Sequence, residues 1–448
     1  MYNRWKIVIL LLMIVSLMSG CFGKKEVLEP LQPSKIKVIY QTEEAFDLDY
    51  GKYFKMNYPQ IEVEVIPKIQ VLKNLGKMII PDEYDSEVRK LLERSGADVL
   101  LLDQHNFEQF AANGKLYGIE EAIRQDNYDI EGFMPGLIDV IKNLGDGKLY
   151  GLTPAVYNKA LRYNTALFRE NQIDPPTNKM TWREVFELGA RFSNIKHGDR
   201  PVRGVFFDDL RGVGDLMYDI AKTYGLQLFD PKGEKVLINS KGWKEAMSLA
   251  TDAVRNNVVY FDPVAQLDSS QNLFDDGVAA MTFKGVPHAG EVGFNTDKAP
   301  VEWEAVTVPI DPADESTGVY LDSLFAIAAD SSNKRAAWEF VKFVCGPEMA
   351  HARSKTMDGT LPSRTGYVKE FKGKSMEAFY MLKVKQADSI RQSGRVPFKF
   401  FTLFDEPLRE ELQAVVDNKK SVDEAAAVLE AKAQELLIQA RAASGKMP

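Results

Sequence analysis

The chain has 448 residues, 45% of them hydrophobic and 27% charged, the proportions of an ordinary water-soluble globular protein and room enough for two or three domains. A net charge of −8 and a pI near 5.4 disfavour nucleic acid as a partner, because neutralising phosphates requires clustered Lys and Arg. Only two cysteines, Cys21 and Cys345, are present, so no disulfide framework holds the fold.

The first twenty residues read as a secretory signal. Arg4 and Lys6 precede the apolar run Ile7 to Met18, which ends at the small residues Ser19 and Gly20. That run is too short for a stable membrane-crossing helix, which needs ~20 residues. Leu17-Met18-Ser19-Gly20-Cys21 resembles the bacterial lipoprotein box, with Met18 where leucine is usual. The resemblance implies acylation of Cys21 and a lipid anchor on the extracytoplasmic face of the cell membrane. Plain secretion with cleavage nearby is the alternative. Residues 21–34 are charged, carry two prolines and lack periodicity, and read as an acylated tether. Cys345, within the apolar stretch from Phe340, reads as a small buried hydrophobe.

The body opens with alternation typical of strands: Ile36, Val38 and Tyr40 share one face, as do Ile61, Val63 and Val65. Phe46, Tyr50, Phe54 and Asn57 between them fall at helical spacing. Val99 to Leu102 is continuously apolar, as in a parallel strand covered on both faces. This order predicts α/β layers with right-handed crossovers. Thr181 with Glu184 forms a capping box that opens a helix burying Trp182, Val185 and Phe186. Ser240 precedes a helix with Trp243, Met247, Ala250 and Val254 on one stripe, and Ser332 is the expected start of a helix through Trp338 and Val341. Strands are predicted at residues 204–207, 279–283, 303–308 and 323–328. A second capping box, Ser421 with Glu424, opens the last helix.

No catalytic or metal signature appears. None of His105, His197, His288 and His351 has a second ligand at zinc spacing, and nucleophile-elbow, phosphate-loop and dinucleotide motifs are missing. This points toward a binder. A polar solute exchanges water for placed donors and acceptors, and sugar C–H faces pack on aromatic rings. In α/β folds such groups sit in loops at the carboxyl ends of strands. Tyr40, Gln41, Asp103, Asp208, Asp209 and His288 hold such places, and Tyr157 follows the turn at Thr153-Pro154-Ala155.

Several runs keep a recognisable order: Asp146 to Pro154, Leu161-Arg162-Tyr163-Asn164, Ile173-Asp174-Pro175-Pro176, Phe274 to Met281, Ala337 to Phe343, and Gly359 to Arg364. Together they resemble the extracellular solute-binding proteins of family 1, the sugar-type receptors of ABC importers. The resemblance implies an α/β, two-lobed periplasmic-binding-protein-like fold, with residues 35–155 plus 291–328 as one lobe and 156–290 plus 329–445 as the other. It implies no enzyme activity, no cofactor, a monomer, and a small solute, most simply a carbohydrate, passed to transmembrane permease subunits. By position, the cleft residues it implies are Tyr40, Gln41, Asp103, Tyr157, Asp208, Phe283, His288, Tyr320, Asp322, Arg364 and Phe400. Gly285-Val286-Pro287-His288 lacks the tryptophan common in sugar binders at that loop. A polyol, a glycerophosphodiester or a polyamine on the same scaffold, and a secreted polysaccharide-active enzyme, stay as alternatives. Asp103 as a plain helix cap and Arg364 as a tie for loop carbonyls are the bland readings of those two residues.

Overall fold

The strands of two sheets run in chain order as β1 (Ser34–Tyr40), β2 (Ile61–Pro67), β3 (Val99–Leu102), β4 (Gly151–Leu152), β5 (Lys159–Asn164), β6 (Arg203–Phe207), β7 (Val259–Phe261), β8 (Ala279–Gly285), β9 (Trp303–Thr307) and β10 (Leu324–Ile327). They are seen in a computed structural model that describes residues 27–75, 81–261, 272–286, 301–356, 359–387 and 396–443. The helices used below are α1 (Gln104–Ala112), α2 (Glu120–Gln125), α3 (Trp182–Ala190), α4 (Val213–Thr223), α5 (Lys241–Arg255), α6 (Lys334–Val344), α7 (Phe398–Val416) and α8 (Val422–Ala443).

The first sheet has the order β2-β1-β3-β10-β4, the second β7-β6-β8-β5-β9. In the first, β1 runs parallel to β2 and β3, pairing Ile36 with Val63 and Val38 with Val65 and Val99. β10 returns antiparallel between β3 and β4. In the second, β6 is parallel to β7 and β8, and β5 is antiparallel to β8 and β9. Each sheet has its own hydrophobic core, one including Val38, Leu101, Phe325 and Trp338, the other Val205, Met281, Trp243 and Phe400. The chain passes between lobes through residues 153–158 and 308–323, and is back in the second lobe by Val396. Thr317–Val319 pairs in parallel with Val384–Gln386 beside these crossings.

The division into lobes differs from the expected one in two places. Trp303–Thr307 pairs antiparallel with β5 and so belongs to the second sheet, not the first lobe. Residues from α6 onward pack first on the first lobe: Phe340 lies 5.7 Å from Phe325 and 5.1 Å from Phe54, ring centre to ring centre. The apolar stripe of α6 completes the first core, and only α7 and α8 return to the second. There Phe400, Phe404, Leu408 and Leu412 share the second core with Leu429, Ala433 and Leu437. The cap of α6 is also shifted: Asn333, not Ser332, holds the N-cap position, because Ser331 is turned inward onto Asp98.

Both predicted capping boxes form, Thr181 with Glu184 and Ser421 with Glu424. Trp182, Trp243 and Trp338 are all core residues. The segment predicted as one helix over Phe46 to Asn57 is α-helical at both ends with a π turn, Asp47–Gly51, between them. The tether is shorter than residues 21–34, because Leu28 is buried and held by Gln125 of α2, whose side chain accepts the Leu28 N–H and donates to its carbonyl, each at 2.9 Å. Cys21 lies outside the described residues. Among the described residues no helix is long and apolar enough to cross a membrane.

Candidate functional site: the cleft between the lobes

The parallel strands β1, β2 and β3 end side by side, so Tyr40, Lys68 and Asp103 share one edge of the first sheet. β10 begins at that edge, which adds Asp322 just before it. In the second sheet β6 and β8 end where β5 begins, gathering Asp208, Asp209, Gly285, Tyr157 and Lys159. The crossover 153–158 joins the carboxyl end of β4 to the start of β5, so these two edges border the interlobe cleft. Ligands of open α/β sheets bind at such edges.

On the first lobe, Asp103 caps α1: one carboxylate oxygen accepts the Asn106 N–H at 2.8 Å and the other accepts from Asn106 Nδ2 at 2.9 Å. Capping occupies two of the roughly four acceptor positions of a carboxylate, so the residue stays able to accept more. Gln41 is exposed and its carbonyl accepts the Ile69 N–H at 3.0 Å. Asp322 is exposed and Tyr320 half-buried. Lys68 was missed by sequence reasoning and is buried at this edge. Loss of water lowers its pKa, with the charges of Asp103 and Asp322 opposing that shift. Its place after the alternating strand Ile61–Pro67 was the available signal, the same signal that singled out Gln41 and Asp103.

On the second lobe, Tyr157 is 55% exposed. A Cβ added at Gly285 would lie 3.2 Å from its hydroxyl, so the phenol lies across the end of β8. Arg162 fixes that end by donating to the Gly285 carbonyl at 2.7 Å while stacking 4.5 Å over Trp303. Asp208 is ion-paired with Lys284 and Asp209 with Lys159. Burial works against the Lys159 ammonium, yet Asp219 and Asp209 outweigh it and raise its pKa. Behind them burial pushes the Asp219 carboxyl up, partly countered by Lys159 and Lys222.

Four expected cleft residues are corrected. Tyr40 is buried with its hydroxyl donating to Asp49 at 2.6 Å, and its ring packs edge-on to Phe46 and Tyr50. Phe283 points into the second core, 5.1 Å from Phe207 and 5.2 Å from Trp182 between ring centres. Phe400 is fully buried against Phe229 and Phe404, so it offers no stacking platform. Arg364 is buried in the first lobe, donating to the Cys345 carbonyl at 2.8 Å and pairing with Asp129 at 2.9 Å. His288 lies outside the described residues.

Two α/β lobes, each with its own core, crossed by the chain more than once and bordered at the cleft by polar side chains, define a two-lobed binding protein. The chain belongs to the bacterial extracellular solute-binding protein family, whose sequence pattern matches residues 80–379. The maltotriose-binding protein of Pyrococcus abyssi (strain GE5 / Orsay) is 25% identical over 335 residues, 73% of this chain and 64% of that protein. The match thus spans somewhat less than two thirds of that relative. The sugar-binding protein MalE of Xanthomonas citri superposes with a TM-score of 0.67 at 19% identity, covering 92% of this chain and 100% of the other. The substrate-binding protein Lmo0181 of Listeria monocytogenes, in complex with cycloalternan, superposes with a TM-score of 0.56 at 20% identity, covering 90% and 99%. These two share the fold with the present chain.

Proposed function

We propose that the protein is the substrate-binding component of an ABC importer, taking a carbohydrate or oligosaccharide in the cleft and delivering it to a membrane permease. The observation that carries this reading is the cleft itself. Its two edges are lined by groups that hydrogen-bond hydroxyls, Lys68, Asp103 and Asp322 on one side and Tyr157, Lys159 and Asp208 on the other. The exposed ring of Tyr157 supplies an apolar face for a pyranose. The Pyrococcus relative is named for maltotriose and the Listeria structure holds cycloalternan, which supports a sugar.

The mechanism needs no covalent step. Crossings at residues 153–158 and 308–323 act as hinges, and hinge closure brings the second wall onto a solute held by the first. Affinity is then the contact free energy in the closed state less the cost of closing. Acylation at Cys21 keeps the receptor beside its permease, as a monomer.

Thermal-shift titration of the purified chain against glucose, maltose, maltotriose, cellobiose, xylobiose, sucrose and raffinose tests the reading. A binder is stabilised by RT ln(1 + [L]/Kd), so at least one sugar raises the melting temperature with saturation. Mass spectrometry of that sugar after incubation shows it unchanged. No shift with any of the seven, or conversion of the sugar to product, removes the proposal. Labelled palmitate is expected to enter the wild type and not Cys21→Ala; equal labelling removes the anchor.

A further inference from the structure

The hairpin pairing Glu370–Phe371 with Lys374–Ser375 turns at Lys372 and Gly373, both with positive φ, the backbone a two-residue hairpin turn requires. Val368, Met376 and Phe379 root it in the first core. Yet it lies against the second sheet. Lys374 donates from Nζ to the Trp303 carbonyl at 2.7 Å, and its ammonium stands 5.0 Å from the centre of the Trp303 ring. Among the described residues Lys374 has no ion pair, so both of these contacts cross to the other lobe. Trp303 is fixed on its own side: Arg162 stacks on it at 4.5 Å, and it packs on the small cluster of Phe206, Phe274 and Ala279. Nearer the first crossing, Asn158 Nδ2 donates to the Phe379 carbonyl at 2.5 Å, and Ala305 of β9 packs against the first core.

Strand order places this contact behind the hinge. β9 is the edge strand of the second sheet, next to β5, and the crossings at 153–158 and 308–323 meet the sheet at these two strands. The ends of β6 and β8, which carry the second wall of the cleft, lie on the other side of them. Trp303 opens β9 and Thr307 ends it at the crossing, about 13 Å away at ordinary strand rise. A rotation about the crossings that brings the cleft walls together therefore draws the hairpin and β9 apart. We propose that Lys374 sets the free energy of closing: its bond to the Trp303 carbonyl holds the receptor open until a solute offsets the loss of that bond. The inference rests on the reading of the protein as a cleft-closing receptor and deepens it, naming a residue outside the cleft that limits affinity. Lys374 acts as a positioning residue. Because the bond must be released on closure, a solute binds more weakly than its contacts in the cleft alone would allow.

The test compares the full chain with Lys374→Met, which keeps a side chain of similar length without charge or donor, and with Lys374→Arg, which keeps a donor. In all three, Cys21→Ala, Met56→Cys and Ile438→Cys place one label at an exposed site on each lobe. Single-molecule FRET without solute reads the closed fraction, and calorimetric titration with the seven sugars above reads affinity. Lys374→Met is expected to raise the closed fraction and to bind sugar about fivefold more tightly, the size of one net hydrogen bond that no longer opposes closure. Lys374→Arg is expected to match the unsubstituted chain. A merely structural contact would lower the melting temperature and leave closed fraction and affinity unchanged. An equal closed fraction with Lys374 and with Lys374→Met overturns the inference, and so does equal or weaker sugar binding by that variant. So does a Lys374→Arg variant that behaves like Lys374→Met. A chain that binds none of the seven sugars removes the sugar reading alone, since the closed fraction still decides whether Lys374 holds the lobes apart.

Discussion

Arg364 donates its Nε–H to the Cys345 carbonyl at 2.8 Å while its guanidinium stacks 4.4 Å from the centre of the Phe133 ring. The same group bonds the Asp129 carboxylate and carbonyl, so one cation ties three segments of the first lobe. Removing a buried, fully bonded guanidinium strands its acceptors. Arg364→Ala is therefore expected to lower stability by about 3 kcal/mol, and Arg364→Lys to recover little, because an ammonium lacks the planar fork. Urea denaturation checks both; an unchanged midpoint in Arg364→Ala refutes the structural role.

Asp126 accepts from Arg335, Lys342 and the Trp338 indole N–H, at 2.9, 2.7 and 3.0 Å. Burial alone would raise its pKa, but the bonds from Arg335, Lys342 and Trp338 outweigh burial and hold it below the usual carboxylate range. A depressed folded pKa contributes stability that is complete above the unfolded value near ~3.9 and is lost as pH falls through the folded value. As pH falls below about 4, the wild type is expected to lose stability more steeply than Asp126→Asn, which starts lower at pH 7. Denaturation midpoints from pH 7 down into the acid range give the slopes; parallel slopes contradict the assignment.

Asp103 combines a capping role with a cleft position, and Tyr157 has only the latter. Both Asp103→Ala and Tyr157→Ala are expected to weaken sugar binding about tenfold, roughly 1.4 kcal/mol. Asp103→Ala should also lose about 1 kcal/mol of stability without ligand, from the missing cap of α1, whereas Tyr157→Ala should not. Calorimetric titration and melting curves separate the two effects. Full affinity in both folded variants would discard this map of the cleft.

Gly318 lies in the second crossing, where an added Cβ would stand 2.4 Å from the Lys222 carbonyl oxygen and 2.9 Å from Ala387 Cβ. Backbone cannot yield as a side-chain tip can, so Gly318→Ala has to push the crossing away from α4. The expected cost is about 1–3 kcal/mol, with weaker sugar binding from a displaced hinge. A variant with wild-type melting and wild-type affinity would show that the crossing tolerates the shift.

Local patterns made the frame legible. Alternation at Ile36, Val38 and Tyr40 and helical stripes through Trp243 and Trp338 report which face is buried, and these elements sit where the periodicity puts them. The pairing of Trp303–Thr307 with β5 joins positions some 140 apart in sequence and leaves no local trace. The cleft was harder to read, because position in a family does not tell which way a side chain turns. Family position puts Phe400 in the cleft, yet Phe400, Phe404, Leu408 and Leu412 fall four apart, the spacing of a core stripe. Lys68 carries no such pattern; its burial emerges only when the neighbouring strand ends are assembled around it.

Gln125 grips the peptide of Leu28 from both sides, and this ties the start of the described chain to the first lobe. Under the proposed acylation at Cys21, the anchor would therefore be tied to the half that carries Lys68. Relative to such an anchor the remaining half would swing, like a gate hung on a fixed post. On the proposed reading, a solute would meet the first lobe at rest and the lobe that bears Tyr157 would close over it.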